Sequence, residues 1–290
     1  MAFDSRKIDV HLHSNYYSYT GEMNRVFPIL SKLKPANSPD DLLQRTVSAM
    51  DKHNIVKGLV SGSPESVNRW KKAYSDRFIT SIGIGVPVDL DLPIDERHKL
   101  DLPIEPSIDF LRKEHEKGKL TWLGEIGTQL QGISPNDPKL DPYFALAVEL
   151  DIPVLIHTCG GGPPLPDFRL KAGNPLLLED VLKKYPTLRI WLENAGYPFI
   201  NEMKALMGHF PNVYGDLSTV CWIFARRAFH DHLQALIRAD FGKRLMFGTD
   251  SMIWPEAIGI AIESIETATF LSEEQKIDLY YNNAVEFLRL

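Results

Sequence analysis

His11 and His13, in the run Asp9-Val10-His11-Leu12-His13, are two imidazoles two residues apart near the start of the chain. On a β-strand, residues i and i+2 share a face, so an extended backbone here aims both rings at one point. Neutral imidazole nitrogens bind divalent metals, and zinc suits such a pair. Taken alone, the pair also fits two capped or surface histidines. Other metal-capable residues end later apolar runs. Glu125 lies in Gly124-Glu125-Ile126-Gly127, and His157 follows Val154-Leu155-Ile156. Glu193-Asn194 precedes Ala195-Gly196, and Asp250 closes Gly248-Thr249-Asp250. Singly, each could cap a carbonyl or join an ion pair. Together they point to a metal centre built at strand ends.

The elements that would position these residues alternate along the chain. Strands are expected at Lys7–His13, Ile55–Ser61, Phe78–Val86, Leu120–Gly127, Pro153–Thr158, Leu188–Asn194, Val213–Leu217 and Arg244–Asp250. Eight strands alternating with helical patterns fit a (β/α)₈ TIM barrel, an α/β fold whose active sites sit at the C-terminal ends of the strands. Nearly continuous apolar runs such as Val154-Leu155-Ile156 suit strands buried on both faces. Helix starts are marked. Ser38-Pro39 precedes Leu42–His53, Asn174-Pro175 opens Leu176–Tyr185 ahead of Pro186, and Ser272-Glu273-Glu274-Gln275 reads as a capping box. No repeat or linker divides residues 1–290, which read as one domain. Long loops are expected at 14–38, carrying Tyr16, Tyr17 and Tyr19, and at 159–173, rich in Gly and Pro. Residues 87–106 form a further irregular stretch.

Composition narrows the function classes. Thirty-eight acidic against 32 basic side chains give a formal net charge of −6. That argues against a nucleic-acid or anionic-membrane binder, which needs clustered Lys and Arg. Two cysteines, Cys159 and Cys221, make no disulfide framework and fit a reducing compartment. Neither a secretory signal nor a bilayer-length apolar stretch is visible, so a cytoplasmic protein acting on a small molecule is the expectation.

Several segments together resemble the amidohydrolase superfamily, and within it the amidohydrolase-2 group of metal-dependent TIM-barrel hydrolases. They are DVHLH at 9–13, LGEIG at 123–127, PVLIHT at 153–158, YPTLRIWLENAGYP at 185–198, NVYGDLS at 212–218 and RLMFGTDSMIWPE at 244–256. The resemblance implies that His11, His13, His157 and Asp250 hold a divalent metal. The ion expected is Zn²⁺, with Mn²⁺ as the alternative. Asp250 would also take the proton of the attacking water, and Glu125 stands where some members supply a ligand. The implied activity is hydrolysis of a small lactone, ester or amide. Homodimers are frequent among similar barrels.

The sequence departs from the family at strand six, which normally ends in His before Ala-Gly or Gly-Gly. Here Asn194 is aligned, with Glu193 before it. An amide does not titrate near neutral pH, but it can orient water or a carbonyl. The spacing to Ala195-Gly196 favours Asn194 as the inward residue, in a catalytic role. A one-residue slip would turn Glu193 inward instead.

Substrate contacts are expected from Tyr19, Arg169, Trp222, Arg226 and Trp254. The alternative for Arg226 is an ion-paired helix start, and for Trp254 simple packing. Asp216 reads as a supporting carboxylate. Two further functions stay open: non-oxidative decarboxylation of a small aromatic or unsaturated acid, and a degenerate barrel that only binds its ligand.

Overall fold

The computed structural model describes residues 6–85, 103–158 and 165–290. Cys159 and most of the 87–106 stretch lie outside the described residues. The chain divides into two compact units. One holds the residues up to Ile79 together with Gly215–Leu290, and the other holds Thr80–Tyr214.

In the first unit, β1 (Lys7–His13) and β2 (Ile55–Ser61) run parallel, with His13 opposite Ser61, and β3 (Phe78–Thr80) joins the far side of β2. The opposite edge of β1 bonds to the segment that follows β8 (Leu245–Met246). Val10 N–H donates to Phe247 O at 2.9 Å, and Asp250 N–H donates to His11 O at 2.8 Å. β8 in turn pairs in parallel with the end of β7 (Val213–Asp216), with Asp216 opposite Met246. β1 therefore has hydrogen-bonded partners along both edges. Ile8, Val10 and Leu12 are all buried, and so are Asp9 and His11 between them.

In the second unit, β4 (Leu123–Ile126), β5 (Val154–Ile156) and β6 (Ile190–Leu192) form a parallel sheet in chain order. A single bridge sets Ile84 beside Ile126. Trp122 and Trp191 are buried and pack at 5.3 Å between ring centroids. Parallel neighbours need crossovers, and helices supply them: Ile108–Glu116, Asp141–Glu149, Glu179–Lys184 and Ile200–His209 here. Residues 103–106 contribute an antiparallel bridge between Glu105 and Gly85.

The helix starts behave as their sequences predict. Ser38 Oγ accepts from Asp41 N–H at the start of a helix at Pro39–Lys52, and Ser272 forms a complete capping box with Gln275. Asn174 also caps, accepting from Leu176 N–H, but the first turn after it is 3₁₀ and the α-helix begins only at Glu179. β1 and β2 match their expected spans. The other six strands are shorter than expected, because the chain turns left-handed or irregular where the polar ends begin. Asn194 (φ 54°), Ala195 (φ 45°), Ser218 (φ 25°) and Asp250 (φ 43°) all leave extended geometry. The expected third strand stops at Thr80 and regains isolated bridges at Ile84 and Gly85.

Candidate metal centre

The first unit brings together His11, His13 and Asp250, with one ligand-capable atom of each within 4.8 Å of the others. His11 Nε2 lies 3.2 Å from His13 Nε2, and His13 Nε2 lies 3.0 Å from Asp250 Oδ1. Alternation along β1 puts both rings on one face, and the left-handed turn at Asp250 brings its carboxylate to them.

The supports behind these residues are buried. His11 Nδ1 sits 2.8 Å from Ser218 Oγ and 3.2 Å from Asp216 Oδ2, while Ser218 Oγ–H donates to Asp216 Oδ1. With the serine proton given to Asp216, the serine oxygen accepts from His11 Nδ1–H. That tautomer leaves the Nε2 lone pair facing His13, the usual arrangement behind a metal-ligating histidine. His13 Nδ1 lies 3.3 Å from Ser61 Oγ on β2.

Asp9 ties β1 to the Asp250 segment. It accepts from His11 N–H (3.1 Å), Thr249 N–H (3.0 Å) and Thr249 Oγ1–H (2.6 Å). Burial pushes its carboxyl up to about 7 against those hydrogen bonds. Gly248 completes the latch by close approach, since a Cβ there would lie 3.1 Å from His11 Cβ and 3.2 Å from Asp216 Cβ.

A second group, entirely within the other unit, consists of Glu125, His157 and Glu193. His157 Nε2 lies 3.5 Å from Glu193 Oε2 and 4.0 Å from Glu125 Oε1. His157 Nδ1 lies 2.8 Å from Gln129 Oε1, and Gln129 Nε2–H donates to Arg169 O at 3.3 Å. Asn194 Nδ2–H donates to Glu193 Oε1 (2.7 Å) and to Thr158 O (3.3 Å). Gly124 (φ +122°) precedes Glu125 where only glycine fits, because a Cβ would meet Leu155 O at 2.7 Å.

The donor set suits a divalent ion. Two imidazoles and a carboxylate converge in one unit, and an imidazole and two carboxylates in the other, and both sets are ligand chemistry for Zn²⁺ or Mn²⁺.

The profile of the Amidohydrolase (Amidohydro_2) family matches residues 8–290. The chain belongs to the amidohydrolase family. Protein fluG of Emericella nidulans is 30% identical over 109 residues, which are 38% of this chain but span only 12% of the fluG chain. Among solved structures, a TIM-barrel protein of Bordetella bronchiseptica matches with a TM-score of 0.67 at 19% identity, covering 98% of each chain. The 5-carboxyvanillate decarboxylase of Novosphingobium aromaticivorans, complexed with manganese and a nitrobenzoic acid, has a TM-score of 0.63 at 14% identity, covering 100% of this chain and 97% of its own. A probable 2-pyrone-4,6-dicarboxylic acid hydrolase of Acinetobacter baumannii, with citric acid bound, has a TM-score of 0.65 at 14% identity, covering 98% and 100%. This amidohydrolase has the TIM-barrel fold that its eight strand segments predict. Among the described residues no helix is long and apolar enough to cross a membrane.

The expected substrate contacts of the amidohydrolase fall into two sorts. Trp222 and Trp254 are buried with centroids 6.4 Å apart, and Tyr19 meets Trp254 edge-on at 4.9 Å. Trp222 Nε1–H donates to Thr249 O at 2.7 Å, whereas Trp254 Nε1–H has no acceptor among the described residues. Tyr19 Oη–H donates to Asn24 Oδ1 at 2.7 Å. The two arginines are engaged elsewhere. Arg169 Nη1–H donates to Pro166 O and Phe168 O in its own turn, and Arg226 pairs with Glu263 at 3.0 Å, the ion-paired helix start of the alternative reading.

Sequence reasoning did not single out Gln129, Ser218 or Tyr17. Tyr17 Oη lies 3.7 Å from Met252 Sδ, and burial, then the Asp250 carboxylate, push its phenol well up. Its only signal is its place in a tyrosine-rich loop after β1. Cys221 is a free, buried thiol, pushed up by burial and then by Asp9 and Asp216.

Proposed function

We propose that this amidohydrolase is a metal-dependent hydrolase of a small carbonyl compound, a lactone, ester or amide, with Asp250 as general base. The observation that supports this most is the convergence of His11, His13 and Asp250 in front of the buried Asp216–Ser218 pair. The family motifs add His157 and Glu125 to the ligand set. The match across residues 8–290 supports reading the chain as one catalytic domain.

A divalent ion held by such donors acidifies water and polarises a carbonyl oxygen. The chain's own residues do the rest. Asp250 accepts the proton of the attacking water and returns it to the leaving group. Asp216 and Ser218 keep His11 in the tautomer that presents Nε2. With its amide hydrogens given to Glu193 and Thr158, Asn194 orients water only through Oδ1, while Tyr19, Trp222 and Trp254 wall off the substrate.

Retained metal positions argue against a barrel that only binds its ligand, the missing strand-six histidine argues against decarboxylation, and the probable hydrolase among the structural neighbours supports hydrolysis. The carboxyvanillate decarboxylase at a TM-score of 0.63 keeps a second reading, decarboxylation of a small aromatic acid.

The test compares metal-stripped and Zn²⁺- or Mn²⁺-reloaded protein on lactones, amides and aromatic carboxylic acids. Metal-dependent hydrolysis without CO₂ is expected, and Asp250→Asn lowers kcat by about 10²–10⁴-fold, the usual share of general acid–base catalysis. CO₂ release establishes the decarboxylase instead. Saturable binding without turnover overturns both.

A further inference from the structure

The strand-six position of this chain lacks the family's histidine, yet the Thr80–Tyr214 unit holds an imidazole between two carboxylates. We propose that Glu193, rather than Asn194, is the strand-six metal ligand, in a divalent-cation site with His157 and Glu125. The proposal deepens the metal-dependent reading above and rests on it.

The first argument is the tautomer of His157. Gln129 gives its amide N–H to Arg169 O, which turns Oε1 toward His157 Nδ1. An amide oxygen cannot donate, so His157 Nδ1 carries the hydrogen. In the neutral ring, Nε2 is then a lone pair, and it faces Glu193 Oε2 at 3.5 Å and Glu125 Oε1 at 4.0 Å. One ligand-capable atom of each of the three residues lies within 4.8 Å of the others, so all three converge on one point. Ligands about 2.1 Å from a tetrahedral ion stand roughly 3.4 Å apart, close to the Nε2–Oε2 separation. A cation at that point is attracted by both carboxylates and by the imidazole nitrogen.

The second argument is the fixed, buried Glu193. Its side chain is 2% exposed, and buried carboxylates need pairing or a metal. Asn194 Nδ2–H holds Oε1, and Thr158 Oγ1–H holds the Glu193 carbonyl at 2.6 Å, so that Oε2 is the oxygen presented to His157. Asn194 thereby acts as a positioning residue. Its left-handed backbone lets the amide fold back onto the preceding side chain.

The test measures Mn²⁺ affinity and stoichiometry of metal-stripped full-length protein by titration and elemental analysis, with thermal melts of each variant with and without Mn²⁺. Glu193→Gln keeps the shape and removes the charge. At one site its Mn²⁺ Kd should rise at least tenfold, or that ion should be lost, while its metal-free melting temperature does not fall. Glu193→Asp should recover part of the affinity and of the metal-induced stabilisation, which a merely structural role would not do. Asn194→Ala should weaken binding less than Glu193→Gln. Wild-type affinity and stoichiometry in Glu193→Gln, or a larger loss in Asn194→Ala, overturns the proposal. If Glu193→Gln binds normally while His13→Ala has lost metal, only this proposal falls. If the wild type itself takes up no Mn²⁺, the metal-dependent reading falls with it.

Discussion

The two clusters, His11–His13–Asp250 and Glu125–His157–Glu193, use similar donors on different scaffolds. In the first, two imidazoles stand on one strand, and a fully buried carboxylate with its serine fixes the His11 ring from behind. In the second, a neutral glutamine fixes the imidazole, and a carboxylate beyond the end of β6 is held by the amide next to it. A charged support raises the basicity of its histidine, whereas a neutral one only orients it. Under the proposed metal-dependent reading, the first cluster would bind its ion the more strongly and the second would rely on exact placement of its donors.

The largest expected effect tests the charged support. Asp216→Ala removes the acceptor behind His11 and Ser218, both buried. Metal affinity should fall about 10–100-fold, the range for lost supporting partners, and the buried donors left unpaired should cost about 1–3 kcal/mol of stability. Calorimetric titration and a chemical melt read both. An unchanged affinity would mean that His11 is oriented by its strand alone, and the contrast between the clusters would disappear.

The intermediate effect tests the neutral support. Gln129→Leu frees His157 to change tautomer, and affinity should fall about tenfold, the low end of the same range. Stability should drop by about 1–3 kcal/mol, for the two hydrogen bonds lost to His157 and Arg169. An affinity loss equal to that of Asp216→Ala would show that orientation, and not charge, is what both supports provide.

This contrast also marks what the sequence makes legible. β1 and β2 match their expected spans, and the His-x-His geometry follows from alternation, because the strand continues through both histidines despite a register shift against β2 between Asp9 and Leu12. The choice between Glu193 and Asn194 could not follow the same rule. β6 ends at Leu192, and Asn194 and Ala195 turn left-handed, so period-two reasoning has no strand left to act on. Asp216 and Ser218 flank that kind of break at φ 25°, and their contact with His11 spans 205 and 207 positions, beyond any local pattern. Gln129 follows Glu125 in a short 3₁₀ turn with no motif to distinguish it. Caps at Ser38 and Ser272 were readable because a cap is local chemistry.

The smallest effect separates both clusters from the surface. Arg226 begins the helix Arg226–Ile237, where a cation opposes the helix dipole, and it pairs with Glu263 at 3.0 Å and reaches Thr267 Oγ1 at 3.4 Å. Exposed pairs of this kind are worth about 0.2–1 kcal/mol, and the unfavourable dipole takes back part of that. Arg226→Ala should therefore shift the melting temperature by no more than about 2 °C. It should leave metal affinity unchanged, and KM the same for neutral and for carboxylate substrates. A KM that rises tenfold for carboxylates alone would mean that the guanidinium exchanges Glu263 for substrate, since a bidentate clamp on an acid is the one role that separates the two substrate classes.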